Sequence, residues 1–461
     1  MKKVLPVGKP SSASNAQSVG ATPTWASKMV FSLMGNLGGP IAGLLSAPIL
    51  ARGLGVDGRG ELAAANAPLM LATAIGLFGL QESLTFYVAR YKNHLRSTLL
   101  ETTLLVAGLG IIASMVIWFS AAPLAGGNEQ IESLIKVAAL ATLPNFLIAV
   151  PRALVAGTQQ WHLQAIESGL FGILRLVLLL ALYLTGTLTT FSALLVAVGA
   201  PVLSACFYFP YVRSMWRQRN MGQNSRVINY RNLLGYGFRV WVGSMSGVLL
   251  SRIDQLLMVP LSDATQLGLY AVAVTVGEIP VLLSFAMRNV VFAADATDAG
   301  AHNSAQLKQA DRRLHQTARI ATFLTLLAAA GVGATVWWWL PLIFGEDYAG
   351  AVPLVLVLVL AAVLGATGSV AGAGLSARGR PGLRSVGMTV GAISNIVVLV
   401  WLVPQIGAMG AAISTVVGST IAGSMNVLFL RYSFGHKITS FYGLRRSDFQ
   451  LLTKSTRKVS Q

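Results

Sequence analysis

The sequence predicts an all-α polytopic membrane protein of about 12 transmembrane helices, in two six-helix lobes related by an axis along the membrane normal. Three observations support this fold class. Apolar runs of about twenty residues, the length that crosses a bilayer as a helix, fill the chain from residue 25 to residue 432. No polar segment between these runs is long enough to hold a folded domain. Segments that are six runs apart resemble each other, as expected for a parallel repeat.

Composition excludes several classes of protein. Of the 461 residues, 54% are hydrophobic and only 11% are charged, about half the charged fraction of a soluble protein. The net charge is +18, but the basic residues fall in alternate loops, which indicates membrane topology rather than a nucleic-acid surface. The single cysteine, Cys206, and the five scattered histidines give neither a disulfide framework nor metal-ligand spacing. We therefore expect no nucleic-acid partner, no metal and no cofactor.

The apolar runs define twelve predicted spans, whose boundaries follow from where polar or turn-forming residues interrupt them. In chain order they are 26–50, 62–88, 98–122, 131–156, 163–186, 190–212, 233–259, 265–293, 316–344, 349–376, 382–404 and 409–432.

The distribution of basic residues orients these spans. Cytoplasmic loops carry an excess of Lys and Arg, and one set of alternate segments carries almost all of them here. That set contains Lys2, Lys3, Lys9, Lys28, Arg90, Lys92, Arg96, the arginines of 213–231, the basic residues of 308–319, Arg378, Arg380, Arg384 and the tail from Lys437 to Lys458. Both termini are therefore predicted to be cytoplasmic.

These assignments divide the chain into five parts and one surface helix. Residues Gln306–Arg319 have the composition of a short amphipathic helix lying on the inner leaflet. The predicted parts are a disordered N-terminus (1–25), an N-terminal lobe (26–212), a cytoplasmic linker (213–232), a C-terminal lobe (233–432) and a basic cytoplasmic tail (433–461).

An internal repeat links the two lobes. Aligning residues 51–66 with 259–274, so that Gly60 matches Gly268, gives in each copy an apolar span, a short polar hairpin, a Gly and an Ala-rich span. A weaker pair is Leu154–Leu180 with Leu375–Val400. Both pairs join spans six apart, which predicts two similarly oriented halves. Composition alone can also make Ala/Gly-rich membrane helices resemble one another.

Two short motifs carry a family resemblance. Residues Leu50–Asn66, with the core Arg52-Gly-Leu-Gly, resemble the signature that follows the first span of polysaccharide and oligosaccharide-lipid flippases. The stretch Arg252-Ile-Asp-Gln-Leu-Leu-Met-Val-Pro260, running on to Gly268-Leu-Tyr-Ala, resembles the seventh-span motif of that family. The family belongs to the multidrug/oligosaccharidyl-lipid/polysaccharide (MOP) exporter superfamily. The resemblance implies a V-shaped bundle that alternates between inward-open and outward-open states.

Ionisable residues inside spans are the candidates for function, since each costs about 2.5–3.5 kcal/mol at mid-bilayer unless it faces protein or water. On an ideal helix, Arg239 and Ser246 share a face of the seventh span and Asp254 lies about 60° away. Arg252 points to the opposite side, which favours pairing with another helix. The full set is Glu82, Glu167, Arg175, Arg239, Arg252, Asp254, Glu278 and Arg288.

The arginines favour a cationic cavity. Guanidinium groups bind phosphate oxygens bidentately, so Arg239, Arg288 and Arg175, with Ser246, are the predicted substrate-binding residues. Asp254, Glu278 and Glu82 are candidates for binding a coupling ion, either a proton or sodium. The alternative for each residue, an internal salt bridge that holds helices together, remains open at this point.

The resemblance and the arginines together imply a flippase for polyprenyl-diphosphate-linked oligosaccharide of the capsule, exopolysaccharide or O-antigen type. It would lie in a bacterial plasma membrane, in contact with membrane lipids. A cation-coupled multidrug exporter of the same superfamily is the nearer alternative, although its cavity should be acidic and aromatic. A membrane glycosyltransferase or polymerase is less favoured, because such enzymes need a sizeable extramembrane loop. The chain is therefore not expected to be an enzyme.

Overall fold

The structure, a computed structural model of the chain, describes residues 25–90, 95–217, 230–298, 304–445 and 448. The first half of the described chain forms nine helices. They are α1 (Trp25–Ile75), α2 (Leu80–Arg90), α3 (Leu95–Phe119), α4 (Ala121–Leu124), α5 (Glu129–Leu147), α6 (Ala149–Gly157), α7 (Trp161–Leu184), α8 (Thr190–Ala205) and α9 (Phe209–Arg217).

The second half of the described chain forms six longer helices, and short 3₁₀ stretches occur at Cys206–Tyr208, Glu346–Ala351 and Ile438–Phe441. The six helices are α10 (Tyr230–Leu261), α11 (Ala264–Asp298), α12 (Ser304–Phe344), α13 (Val352–Ala377), α14 (Pro381–Ile406) and α15 (Ala408–Phe434).

The predicted fold class is confirmed. Within the described residues, ten segments are long and apolar enough to cross a membrane, and α10 supplies the seventh predicted span. Most predicted boundaries fall within a few residues of helix ends. The main difference is α1, which covers the first span and most of the second and is kinked at Gly55, where φ is +68°.

One local prediction is wrong. Residues 306–319 do not form a separate helix, because α12 runs unbroken from Ser304 to Phe344. The apolar face that suggested a surface helix packs against protein instead. Leu314 and Ala318 are buried with Val370 of α13 and Phe441 of the C-terminal segment. A helix that lies on lipid and a helix that packs on a neighbouring helix have the same apolar periodicity. The sequence alone therefore could not distinguish these two environments.

The helices end at two faces of the bundle. We call one the basic face, which contains the helix ends near residues 90–95, 157–161, 217–230, 298–304, 377–381 and 434. We call the other the acidic face, which contains the helix ends near residues 119–129, 184–190, 261–264, 344–352 and 406–408. Asp57, Glu129, Asp263 and Glu346 lie at the acidic face.

Among the described side chains, the buried core is shared by both halves only toward the acidic face. There a single cluster joins α1, α5 and α8 to α11, α12 and α13. Toward the basic face the core divides into one cluster around Leu84 and Phe146 of the first half and another around Leu314 and Leu375 of the second. The two halves still touch near Trp241, whose Nε1 donates to the Ile75 carbonyl at 2.6 Å. This arrangement gives a two-lobed bundle joined at one end.

The Arg52-Gly-Leu-Gly motif builds this junction. The Arg52 guanidinium on α1 donates through Nε to the Ile343 carbonyl at 2.9 Å and through Nη2 to the Leu342 carbonyl, at the C-terminal end of α12. The Tyr348 hydroxyl donates to the Gly55 carbonyl at 2.9 Å. Carbonyls at a helix C-terminus lack intrahelical donors, so the arginine satisfies them while tying the first half to the second.

The two glycines that the repeat aligns lie against each other. A Cβ at Gly60 would be 1.8 Å from the Ala264 carbonyl oxygen, and a Cβ at Gly268 would be 2.0 Å from the Val56 carbonyl oxygen. Val56 precedes Gly60 by the same four positions that separate Ala264 from Gly268. The contact is therefore symmetric, as expected where α1 and α11 cross at an axis relating the lobes. Only glycine permits so close a backbone approach.

The C-terminal segment docks on α12. Arg319 is buried and pairs bidentately with Asp448, Nε to Oδ2 at 2.7 Å and Nη2 to Oδ1 at 2.6 Å, while Nη1 donates to the Ser440 carbonyl. Beside this pair, the buried His436 ring lies 4.8 Å from the ring of His315. Two histidines that are far apart in the sequence thus meet, although the described residues contain no group of three or more metal-ligating side chains.

We predict that Gly60→Ala opens the junction at the acidic face. The added Cβ would clash with the Ala264 carbonyl oxygen, and backbone cannot move aside as a flexible side chain can. Spin labels at Thr185 and Gln405, which are exposed at the acidic face on opposite halves, should report a longer distance than in the parent protein.

Gly108→Ala is the matched control, because a Cβ at Gly108 meets nothing within 4 Å. The labels require Cys206→Ser, since Cys206 is exposed. Equal label distances in both glycine variants would contradict the junction described above.

We also predict that docking of residues 435–445 weakens in acid. Burial lowers the pKa of His436 from its ordinary 6.5, against a smaller opposing effect of the Asp311 carboxylate. A free imidazole takes up a proton below about pH 6.5 while the buried one resists it, so lower pH favours the undocked segment.

Amide hydrogen exchange of this segment should therefore quicken between about pH 7.5 and about pH 5.5, after correction for the intrinsic pH dependence of exchange. His436→Gln should reduce that change, whereas His162→Gln, at an exposed position, should keep it. A change of the same size in both variants would assign the effect to other groups.

Candidate functional site

Two cavities among the described helices are lined by predicted site residues. The central cavity, of about 360 Å³, is lined by α1, α7, α8, α10 and α11 and so lies between the two halves. The C-lobe cavity, of about 710 Å³, is lined by α10, α11, α13, α14 and α15. Arg252, Val274 and Glu278 line both cavities, which therefore adjoin at this point.

The central cavity is cationic. Its lining includes Arg59, Arg175 and Arg252 but only one carboxylate, that of Glu278. Arg252 Nη2 lies 2.9 Å from Glu278 Oε1, so this carboxylate is already paired. Within the described part of the chain, neither Arg59 nor Arg175 has an acidic partner, and the Nε atom of Arg59 is buried without a hydrogen-bond acceptor. Two positive charges are left without a counter-charge.

The C-lobe cavity has a cationic end and an acidic end. Arg288 and Arg384 lie toward the basic face, near enough to repel one another, and the Phe285 ring lies 4.7 Å from the Arg288 guanidinium carbon. Among the described residues neither arginine has an acidic partner. This end of the cavity can bind an anion that approaches from the basic face.

At the other end of the C-lobe cavity, Asp254 is buried. Its carboxylate accepts hydrogen bonds from the Tyr270 hydroxyl and, at 2.8 Å, from the Gln255 backbone N–H. The Tyr270 hydroxyl is also 3.2 Å from Thr415 Oγ1 on α15. No cation side chain is paired with Asp254 in the described residues, so this carboxylate can accept a proton or a small cation.

The structure separates the predicted substrate-binding residues. Arg175 lines the central cavity and Arg288 the C-lobe cavity. Ser246 is buried 2.7 Å from Thr389 Oγ1 of α14 and is not part of either lining. The Arg239 side chain lies outside the described residues, although its backbone belongs to α10.

The predicted ion-binding residues also lie in different places. Asp254 and Glu278 line the C-lobe cavity, whereas Glu82 is exposed in the first turn of α2 and lines neither cavity. The pairing of Arg252 with Glu278 fits the expectation that Arg252 contacts another helix. Helical phase did not predict that this pair would sit where the two cavities adjoin.

Glu167 has a structural role. Its buried carboxylate lies 2.7 Å from Arg152 Nη2, 3.1 Å from Ser204 Oγ and 3.4 Å from the Tyr208 hydroxyl. These partners come from α6, α8 and the turn after α8, so the carboxylate ties α7 to its neighbours. For this residue the salt-bridge alternative holds.

Sequence reasoning missed Arg59 and Arg384. Arg59 appeared to belong to a polar hairpin. Arg384, at the start of the predicted span 382–404, was counted with the basic cytoplasmic residues. In the structure Arg59 lies on the second segment of α1, after the kink at Gly55, and Arg384 lies in the first turn of α14, which begins at Pro381. The signals available were Gly55, which allows a left-handed turn, and Pro381, which favours the first turn of a helix.

Comparison with protein families gives one match. The family model described as "Polysaccharide biosynthesis protein" matches residues 26–295, more than half of the chain. The matched range contains both motifs that carried the resemblance in the sequence. Among curated proteins, no relative of the chain was found.

Solved structures of similar fold come from the MOP superfamily. An inward-facing multidrug resistance MATE family transporter gives a TM-score of 0.71 at 14% identity, covering 90% of this chain and 98% of that chain. Lipid II flippase MurJ in an inward closed conformation gives 0.69 at 15% identity, covering 90% and 89%. A MOP superfamily transporter from Pyrococcus furiosus, described as having a binding pocket of reverse polarity, gives 0.61 at 14% identity, covering 89% and 94%. These likenesses establish the fold.

Proposed function

Because this chain belongs to the polysaccharide biosynthesis protein family, we propose that it is a flippase for polyprenyl-diphosphate-linked oligosaccharide. The cargo is a repeat unit of the capsule, exopolysaccharide or O-antigen type. The basic face lies in the cytoplasm of a bacterium and the acidic face outside the plasma membrane, as the excess of Lys and Arg at the basic face favours.

One observation carries this proposal: four arginines that line the two cavities have no acidic partner within the described residues. They are Arg59, Arg175, Arg288 and Arg384. An unpaired charge among membrane helices is costly, so its retention favours a ligand that supplies the counter-charge. A diphosphate does so, and guanidinium groups bind its oxygens bidentately.

The arrangement supports a route for the headgroup. Arg288 and Arg384 lie toward the basic face, where the cores of the two lobes are separate, and they receive the diphosphate first. The lobes are joined at the acidic face by the Gly60–Gly268 contact, which keeps that end closed. Rocking of the lobes about this junction then exposes the headgroup to the other side, while the polyprenyl tail stays in the bilayer.

The multidrug exporter is the competing function, since MATE transporters share this fold. A cationic drug in the central cavity would meet Arg59 and Arg175, and the Glu278 carboxylate there is engaged with Arg252. Like charges repel more strongly inside a protein cavity than in bulk water. The charge of the described lining therefore supports an anionic cargo over a cationic one.

Coupling to an ion is the second part of the proposal. Asp254 is buried beside Tyr270, and we assign it the coupling proton or sodium ion. Glu278 lies in the same cavity and is available when Arg252 leaves it. Glu82 remains a candidate from the sequence alone.

We predict that Arg288→Ala combined with Arg384→Ala slows delivery of labelled lipid-linked sugar to the outer leaflet of vesicles by about tenfold or more, because a hydrogen bond to a charged group contributes about 1.5–3 kcal/mol. Arg312→Ala, which removes an exposed arginine of α12, should leave delivery unchanged.

Cells carrying the double variant should also lose surface polysaccharide while keeping normal sensitivity to cationic drugs. Undiminished delivery at normal expression would remove Arg288 and Arg384 from the site. Increased drug sensitivity with intact polysaccharide would favour the exporter.

We further predict that Asp254→Asn uncouples delivery from an ion gradient. The amide keeps an acceptor for Tyr270 but cannot exchange a proton or balance a sodium ion. Delivery by the parent protein should rise when a proton or sodium gradient is imposed across the vesicle, and delivery by the variant should not respond to either. A full response in the variant would exclude Asp254 as the coupling residue.

A further inference from the structure

Arg59 and Arg175 lie together in the central cavity, apart from the arginine pair of the C-lobe cavity. We propose that Arg59 and Arg175 form a second anion site, which takes the diphosphate headgroup after it leaves Arg288 and Arg384. The presence of an anion site follows from the cavity itself. Its assignment to the headgroup of a lipid-linked sugar rests on the proposed function.

The position of Arg59 is fixed by its surroundings. It follows the kink at Gly55 and directly precedes Gly60, whose backbone contacts Ala264 of α11. Its side chain lines the central cavity, and its Nε atom is buried without an acceptor. A buried N–H of a charged group without a partner is costly, so this atom indicates a ligand that the protein itself does not provide.

The acids nearest to Arg59 in the sequence or in the cavity are engaged elsewhere. Glu61 Oε2 accepts from Gln130 Nε2 at 2.8 Å and from Thr190 Oγ1 at 3.1 Å. Asp57 Oδ1 accepts from the Thr265 hydroxyl at 2.5 Å. Glu278, as described above, is paired with Arg252. Each of these carboxylates therefore has a hydrogen-bond or ion-pair partner other than Arg59.

Arg175 lies near enough to Arg59 for the two guanidinium groups to repel each other. Side chains as long as arginine can usually turn away from a like charge, yet both of these line the same cavity. Three arginines against one glutamate leave the lining with two net positive charges. A diphosphate would match that charge and bridge the two guanidinium groups.

The Arg252–Glu278 pair connects this site to the C-lobe cavity. Both side chains line both cavities, and they are 30% and 43% exposed, so the pair is accessible from the cavities. A diphosphate moving from Arg288 toward Arg59 passes Arg252, which can exchange Glu278 for a phosphate oxygen. Arg252 is thus an intermediate contact between two anion sites.

The test is thermal unfolding of the purified protein in micelles, with and without inorganic pyrophosphate. If Arg59 binds a ligand, Arg59→Gln removes a buried charge that has no partner in the free protein. The melting temperature without pyrophosphate should therefore stay the same or rise. In the Arg288→Ala and Arg384→Ala background, where Arg59 and Arg175 are the remaining pair, pyrophosphate should still raise the melting temperature. Adding Arg59→Gln to that background should largely abolish the rise. Arg59→Lys keeps the charge but not the bidentate geometry, and should give a smaller rise than arginine in that background.

A lower melting temperature of Arg59→Gln without pyrophosphate, together with an unchanged pyrophosphate rise, would overturn the site and assign Arg59 a structural role. Polyprenyl diphosphate added to the micelles should reproduce the Arg59-dependent rise. A rise with pyrophosphate but none with polyprenyl diphosphate would overturn the lipid headgroup as the occupant.

The same variants separate this inference from the proposed function. If Arg59 governs the pyrophosphate rise but vesicles deliver no lipid-linked sugar, the anion site stands and the flippase assignment fails. If delivery proceeds normally in Arg59→Gln while the double variant at Arg288 and Arg384 abolishes it, the second site fails and the first stands.

Discussion

Guanidinium charge without a protein counter-charge, held among membrane-spanning helices, is the constraint on which the rest of this structure depends. In the described residues, Arg59, Arg175, Arg288 and Arg384 all line cavities and none has an acidic partner. A charge at this depth requires water, an anion or a paired acid. The helices therefore cannot close on these residues as they close on Glu167, which is buried among Arg152, Ser204 and Tyr208. The unpaired arginines therefore need the cavities, which give them access to water or an anion.

The fold meets this constraint by concentrating its own contacts at one end. The core that both halves share lies toward the acidic face, where Arg52 satisfies carbonyls at the end of α12 and Gly60 meets α11. Toward the basic face each half keeps its own core. A bundle joined at one end can open at the other without unpacking either half. The motif Arg52-Gly-Leu-Gly, which first suggested the family, thus builds a junction rather than a binding site.

Much of the fold could be predicted, because the spans follow from the length of the apolar runs. Repeat alignment even matched Gly60 with Gly268, the two residues that meet at the junction. The residues of the candidate site were harder to predict. Arg175 and Arg288 stood out as charges inside spans. Arg59 lay in a polar hairpin, and Arg384 lay so near the start of its predicted span that it was counted with the basic cytoplasmic residues.

The other differences between the predictions and the structure arise from how neighbouring helices pack. Helical phase placed Ser246 on the face of Arg239, but nothing in one helix shows that α14 covers Ser246 through Thr389. The apolar side of residues 306–319 gave no sign of whether lipid or protein lies against it. Phase locates a side chain on its own helix, and the neighbouring helix decides whether that side chain meets a cavity, a partner or lipid.

The central claim is that these cavities are hydrated and positively charged, and charge-selective labelling of a cavity residue tests it most directly. In a Cys206→Ser background, Ser251→Cys places a thiol on the C-lobe cavity. A negatively charged thiosulfonate reagent should label it faster than a positively charged one of similar size, and the preference should disappear when Arg288 and Arg384 are replaced by Ala. Equal rates for the two reagents, or faster labelling by the cationic one, would contradict the account.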